Sequence, residues 1–86
     1  MPYTYILQCV DGSYYTGWTT DLDDRLKAHN DGKGARYTRS RLPVQLVYWE
    51  VHPDRSAAQR REAMIRKLKK NEKIELIGNW QELIVK

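Results

Sequence analysis

The sequence predicts a small α+β sandwich, ordered β-hairpin, helix, strand, two helices. Three observations predict it. Two β-branched and aromatic segments flank an Asp-Gly pair near the start of the chain, a strong hairpin signal. Apolar residues recur at helical spacing in later stretches. One further β-prone segment falls between the first and second of those stretches. Hairpin strands joined by a strand that returns after a helix form one sheet with helices packed on it.

Residues 3–10 (YTYILQCV) read as the first strand and 14–18 (YYTGW) as the second, around Asp11-Gly12. Residues 21–31 read as a helix with Thr20 as its cap and Asp23 close to a capping-box position. Gly32 stands where a left-handed residue ends a helix. Leu22, Leu26 and His29 form its inner stripe. Residues 44–51 (VQLVYWEV) are the third strand, entered through Pro43. A second helix is expected from about Ala57 to Lys70, with Ser56 and Gln59 as capping box and Ala57, Ala58, Met64, Ile65 and Leu68 as apolar face. A short third helix is expected from Glu72, capped by Asn71 and stopped at Gly78. The tail residues Trp80, Leu83, Ile84 and Val85 are apolar enough to pack back on the body.

Eighty-six residues suit a single domain spanning 1–86 with a modest core. No dedicated nucleic-acid-binding domain is expected beside it, so the same unit would have to grip any substrate, or a protein partner would have to supply specificity. The formal net charge of +4 and pI near 9.3 fit a polyanionic partner. The lone cysteine, Cys9, offers neither an internal disulfide nor a zinc-binding pair and reads as a small buried strand residue. The N-terminus lacks a charged-then-apolar leader, and no apolar run is long enough to span a bilayer, so a cytoplasmic protein without membrane contact is expected.

Four features bear on chemistry. Tyr3, Tyr5, Tyr14 and Tyr15 cluster on the hairpin, where aromatics favour strands anyway. Gly17 interrupts the second strand, a sign that another group approaches closely. Arg25 lies at the edge of the helix stripe, either as a solvated side chain or as a phosphate fork. The segment from Lys33 to Arg41 carries Lys33, Arg36, Arg39 and Arg41, with Tyr37 and two small hydroxyl residues, and no acid occurs between Asp31 and Glu50. Such a segment suits phosphate contacts with a base or sugar against the ring. Glu62, among arginines at the margin of a helix face, reads on spacing alone as a salt-bridge partner. His29 and His52 are too few and too poorly supported for a metal site, and no nucleophilic serine motif, P-loop or dinucleotide fingerprint is present.

Taken in order, these features resemble the GIY-YIG nuclease domain, and in particular its small stand-alone bacterial members. The resemblance runs through Tyr3-Thr4-Tyr5-Ile6-Leu7, Asp11-Gly12-Ser13-Tyr14-Tyr15-Thr16-Gly17, Thr20-Asp21-Leu22, Arg25-Leu26, His29-Asn30, the stretch from Gly32 to Thr38, the stretch from Pro43 to Tyr48, Arg61-Glu62-Ala63 and Leu68-Lys69-Lys70. It implies a three-stranded antiparallel sheet flanked by helices. It also implies a divalent cation, usually Mg2+, on Glu62, with Tyr5, Tyr15 and Arg25 around the scissile phosphate and His29 close by. The implied activity is endonuclease-type hydrolysis of nucleic-acid phosphodiesters, structure-selective and linked to DNA repair or processing, with DNA the expected partner ahead of RNA. Hydrolysis needs an activated water, charge neutralisation on the phosphoryl oxygens and help for the leaving oxygen; these residue types supply all three. Whether Tyr5 or Tyr15 is the base stays open.

The Gly-Ile of the family's first motif is Tyr3-Thr4 here, and the isoleucine of the second is Thr16. A lysine that some relatives carry after the second motif is replaced around Trp18-Thr19, and Asn71 and Asn79 both compete for a late asparagine. The alternative reading is a non-catalytic nucleic-acid-binding or partner-recruiting module that keeps the fold. Among acids, Glu50 is the rival to Glu62 for a metal. A shared site requires Tyr5 and Tyr15 on one sheet face. Side chains alternate along strands, so the hairpin connection must then be odd in length, for instance Asp11-Gly12-Ser13.

Overall fold

A computed structural model describes residues 1–85, and side chains as far as Leu83. Three strands, β1 (Tyr3–Gln8), β2 (Tyr14–Thr19) and β3 (Gln45–Val51), form one antiparallel sheet in the order β2-β1-β3. Helices α1 (Leu22–Asn30) and α2 (Arg36–Arg39) lie between β2 and β3 in sequence, and α3 (Arg55–Arg66) and α4 (Lys70–Val85) follow. The architecture is the three-stranded α+β arrangement that the resemblance implied. Among the described residues no helix is long and apolar enough to cross a membrane.

β1 is central because its side chains are apolar on both faces: Thr4, Tyr5, Ile6 and Leu7 are all buried. Tyr5, Leu7 and Cys9 pack with Val44 and with Leu22 and Leu26 of α1. Ile6 packs on the opposite face with Tyr48, Ile65 of α3 and Ile77 of α4. Burial of each such side chain contributes about 1.5–3 kcal/mol. The Thr4 hydroxyl donates to the Ala58 carbonyl at 2.8 Å, pinning α3 to the strand with its polar atom satisfied. A register shift opposite Ile6 and Leu7 leaves Val47 as an extra residue in β3.

Helix boundaries correct several expectations. Asp21, not Thr20, caps α1, its carboxylate accepting from the Asp24 N–H at 3.0 Å. Asp54, not Ser56, caps α3 in the same way through Ala57, and the helix ends at Arg66. In both cases a carboxylate and a hydroxyl competed, and the negative charge suits the positive helix end better. Glu72 reaches back to the Lys69 N–H at 2.8 Å, so α4 starts at Lys70 instead of being capped by Asn71. α4 runs through Gly78 without stopping. Ile77 is buried and Trp80 packs on Tyr48 and Trp49, which outweighs the cost of about 1 kcal/mol for an interior glycine. Met64 and Leu83 are exposed, contrary to expectation; the side chains of Ile84 and Val85 lie outside the described set.

Candidate active site

The hairpin register decides whether the two tyrosines can share a site. Leu7 faces Tyr15 and Tyr5 faces Gly17, so Tyr5 and Tyr15 lie on the same side of the sheet, toward α1. The connection is odd in length as required. Its members are Val10-Asp11-Gly12 instead of Asp11-Gly12-Ser13: the Cys9 N–H donates to the Ser13 carbonyl at 2.8 Å, and Gly12 takes φ +85. Asp11 accepts from the Ser13 N–H and side-chain hydroxyl, which fixes the turn.

α1 brings Arg25 and His29, one turn apart, over that face. His29 is fully buried, and its Nε2 lies 3.1 Å from the Tyr5 hydroxyl. Its Nδ1 lies 2.8 Å from the Thr38 hydroxyl, and its ring sits 5.3 Å from the Tyr15 ring. Burial, with the Arg25 charge adding to it, lowers the His29 pKa to about 4, so the imidazole is neutral at pH 7. Burial pushes the Tyr5 phenol up, Arg25 pulls part of that back, and the Glu62 carboxylate is near enough to push it further. The Arg25 guanidinium stays firmly charged because it lies beside the hydroxyls of Tyr5 and, more weakly, Tyr15. Tyr5, Tyr15, Arg25 and His29 are therefore brought together.

Two glycines set how closely this group packs. A Cβ on Gly17 would stand 2.6 Å from the Tyr5 hydroxyl oxygen, and one on Gly34 would stand 2.2 Å from His29 Nδ1. Gly17 was legible as a close approach from its place in a strand. Gly34 was not, because the chain that carries it has no regular period.

The basic segment folds partly into α2 and is tied to α1 by the Lys33 N–H donating to the Ala28 carbonyl at 2.9 Å. Lys33, Arg36, Tyr37 and Arg39 are exposed. Tyr37 stacks on Tyr15, with centroids 6.2 Å apart, which joins the segment to the tyrosine site. Arg41 is engaged within the fold. Its Nε donates to Asp11 at 3.1 Å, an Nη donates to the Tyr37 carbonyl at 2.8 Å, and its guanidinium covers the Tyr37 ring at 3.9 Å.

Glu62 is on α3, its side chain 20% exposed, with Arg66 as its ion-pair partner at the long distance of 3.7 Å. Arg66 donates through Nε and Nη2 to the Thr16 carbonyl of β2 and lies 5.8 Å from the Tyr15 ring. Among the described residues no three His, Cys, Asp or Glu side chains gather to surround a metal. Magnesium is commonly held by one or two carboxylates and otherwise by water. A partly exposed, weakly engaged Glu62 fits that mode. Glu50 does not: it accepts from Tyr48, from Arg61 Nε at 2.8 Å, and lies 2.9 Å from His52 Nε2, which leaves little of it to offer.

An open groove of about 280 Å3 adjoins Tyr15, lined by Tyr14, Tyr15, Thr16, Tyr37, Arg66 and Lys73. Hollows of about 330 and 340 Å3 lie at the hairpin end and at the start of α1, and none of the three spaces is lined by Arg25, His29 or Glu62. Size is thus a poor guide here, and the convergence of tyrosines, arginine and histidine is the better one. Thr38, Gly34, Arg66 and Lys73 are site residues that sequence reasoning missed. Thr38 counted only as a small hydroxyl, and the two cations stand at no position that the sequence reading singled out.

Comparison with known proteins bears on family and fold. Residues 1–75 match the GIY-YIG catalytic domain. The UPF0213 protein of Clostridium perfringens is 54% identical over 79 residues, which cover 92% of this chain and 85% of that protein. The UPF0213 protein of Streptococcus sanguinis is 53% identical over 75 residues, covering 87% and 86%. The solution NMR structure of a UPF0213 protein from Bacillus halodurans aligns with a TM-score of 0.58 at 47% identity, over 91% of this chain and 84% of that one. A second solution structure, from E. faecalis, gives 0.61 at 40% identity over 92% and 84%.

Proposed function

The chain belongs to the GIY-YIG family, a nuclease-type family whose domain implies contact with nucleic acid, and from that premise we propose that it hydrolyses nucleic-acid phosphodiesters as a divalent-metal-dependent endonuclease. The observation that carries the reading is the convergence of Tyr5, Tyr15, Arg25 and His29 on one sheet face. We further read the enzyme as structure-selective, acting in DNA repair or processing. The whole chain then works as a single catalytic domain.

In this reading the scissile phosphate lies against Arg25, whose guanidinium neutralises charge that builds on the phosphoryl oxygens. Tyr5 takes the proton of the attacking water while its own proton passes to His29 Nε2, 3.1 Å away. The new P–O bond forms as the bond to the leaving oxygen breaks, and that oxygen is protonated from solvent. This assigns the base role to Tyr5 in preference to Tyr15, because only Tyr5 has a neutral imidazole within hydrogen-bonding distance of its hydroxyl. Tyr15 holds a phosphoryl oxygen and buttresses His29 through its ring. Glu62 is the residue that would hold the cation, which when bound supplies charge neutralisation at the leaving oxygen. Lys33, Arg36 and Arg39 attract the nucleic-acid backbone, and Tyr37 offers a ring to a sugar or base.

The test is cleavage of branched, flapped and single-stranded substrates with and without magnesium, wild type against Glu62→Gln. Cleavage by wild type should need the cation and fall at least about 100-fold in the variant, while nucleic-acid affinity is held by the basic residues. Equal cleavage by both proteins refutes the Glu62 assignment. No cleavage by wild type on any substrate favours the binding-module alternative.

A further inference from the structure

We propose that Thr38 is a positioning residue for the Tyr5–His29 pair: from within the basic segment, its hydroxyl fixes which imidazole nitrogen carries the proton and so makes the other nitrogen the acceptor for Tyr5. For its catalytic consequence this rests on the nuclease reading. The proton assignment stands apart from it.

The assignment follows from counting hydrogens. Thr38 Oγ1 lies 2.9 Å from the Ala35 carbonyl and 2.8 Å from His29 Nδ1. A carbonyl only accepts, so the single hydroxyl hydrogen of Thr38 goes to Ala35. The contact with Nδ1 is then a hydrogen bond only if His29 donates, which puts the imidazole N–H on Nδ1. A neutral imidazole has one N–H, so Nε2 carries a lone pair, and the Tyr5 hydroxyl 3.1 Å away donates to it. The opposite tautomer would take the Thr38 hydrogen away from Ala35. It would also aim an N–H at a phenol oxygen already beside the Arg25 guanidinium.

Burial removes the usual escape. Thr38 and His29 are both 0% exposed, so solvent is not at hand to replace a lost partner. Gly34 passes so close to the ring that a Cβ there would stand 2.2 Å from Nδ1, so the His29–Thr38 contact is closed on that side by backbone. The neighbours of Thr38 face outward instead: Tyr37 and Arg39 are exposed and carry the proposed nucleic-acid contacts. One short segment thus holds the grip on the polyanion on its outer side and the setting of His29 on its inner side. In metal sites, a second hydrogen bond fixes a ligating histidine's tautomer in the same manner; here the beneficiary is a tyrosine.

Nitrogen-15 NMR of the full chain at pH 7, without metal or nucleic acid, tests the assignment. Wild type should show His29 with a protonated Nδ1 and an unprotonated Nε2. Thr38→Val, which keeps shape and removes the hydroxyl, should move both resonances toward the other tautomer, and Thr38→Ser should restore them. Protonation of Nε2 in wild type, or a Thr38→Val spectrum matching wild type, overturns the proposal. Should Thr38→Val not fold, the wild-type spectrum alone decides. In cleavage assays Thr38→Val should lose about 100-fold in rate with unchanged affinity for nucleic acid, and Thr38→Ser should recover most of it. A rate loss matched by an equal affinity loss would make Thr38 part of the grip and defeat the positioning role. Absence of cleavage by wild type would fail the nuclease reading, with the nitrogen spectra still judging the tautomer.

Discussion

The sheet face under α1 and the far edge at β3 each gather a tyrosine, a histidine and an arginine, and they use them in opposite ways. At β3 the three converge on a carboxylate. Tyr48 donates to Glu50, Arg61 donates to it at 2.8 Å, and His52 stands 2.9 Å away. Burial, then the bond to Glu50, pushes the Tyr48 phenol up to about 12, and the carboxylate is held from three sides. Under α1 no carboxylate sits at the centre. Tyr5 is paired with a neutral imidazole, and among the described residues no carboxylate forms a salt bridge with Arg25. The first cluster is a fastening between β3 and α3. The second keeps a positive charge without a carboxylate partner beside the Tyr5 hydroxyl, and an imidazole nitrogen within reach of the Tyr5 proton. Residue type does not separate the two; the position of the acid does.

The sharpest way to break this comparison is to remove the arginine from each cluster. Arg25→Ala should lower cleavage at least about 100-fold while costing about 1 kcal/mol or less in stability, because the packing of its stem and its contact with the Tyr5 hydroxyl are lost while Tyr5 keeps His29 as partner. Arg61→Ala should do the reverse, destabilising by about 1–2 kcal/mol through the loss of a charged hydrogen-bond partner from half-buried Glu50, with cleavage per folded molecule unchanged. Denaturant titration and cleavage rates on both proteins check it, and a swap of the two outcomes would reverse the roles assigned.

A second test uses the neutral state of His29. Its pKa is about 4 in the folded chain against an ordinary value of 6.5, so the unfolded chain binds the extra proton first as pH falls. The stability from this group is therefore fully present above pH 6.5 and drains away between 6.5 and about 4. Between pH 7.5 and 5 the loss should be about 2 kcal/mol in wild type, and it should be absent in His29→Gln. Urea titrations at the two pH values measure it. The same slope in both proteins would mean that His29 is not held neutral by burial.

The smallest expected effect concerns the outer side of the basic segment. Neutralising Lys33, Arg36 or Arg39 should each reduce the slope of log affinity against log salt by about 1. Arg41 should show that change together with lost stability, since its guanidinium is bonded to Asp11 and Tyr37. Reversal of all four charges with affinity and slope intact would move the contact surface elsewhere.

How much of this was legible in the sequence depended on periodicity. Strand alternation, joined to the shared site that the family resemblance implied, required an odd hairpin connection with Tyr5 and Tyr15 on one face, although the register slipped by one step in its placement of the turn. The Leu22, Leu26 and His29 stripe of α1 was readable for the same reason. Helix starts were misplaced where a carboxylate lay close to a hydroxyl, as at Asp21 beside Thr20, because both satisfy a helix N-terminus and only geometry shows which does. Thr38 was invisible. Its role comes from His29, nine positions earlier, and the short helix that carries it has no repeating pattern. Glu62 on spacing alone read as a surface pair. That Glu50 is spent and Glu62 is not became visible only once Tyr48, His52 and Arg61 were seen around the former.

The Arg66 guanidinium has a consequence for how copies of this chain behave toward each other. β2 is an edge strand, and open edges invite a strand from a second molecule to add on, the first step toward aggregation. Arg66 occupies the Thr16 carbonyl with two N–H groups midway along that edge, and places a cation where an incoming strand would have to dock. The edge of β2 is thereby guarded by a side chain from α3, and it can stay uncovered without serving as a template for a second copy.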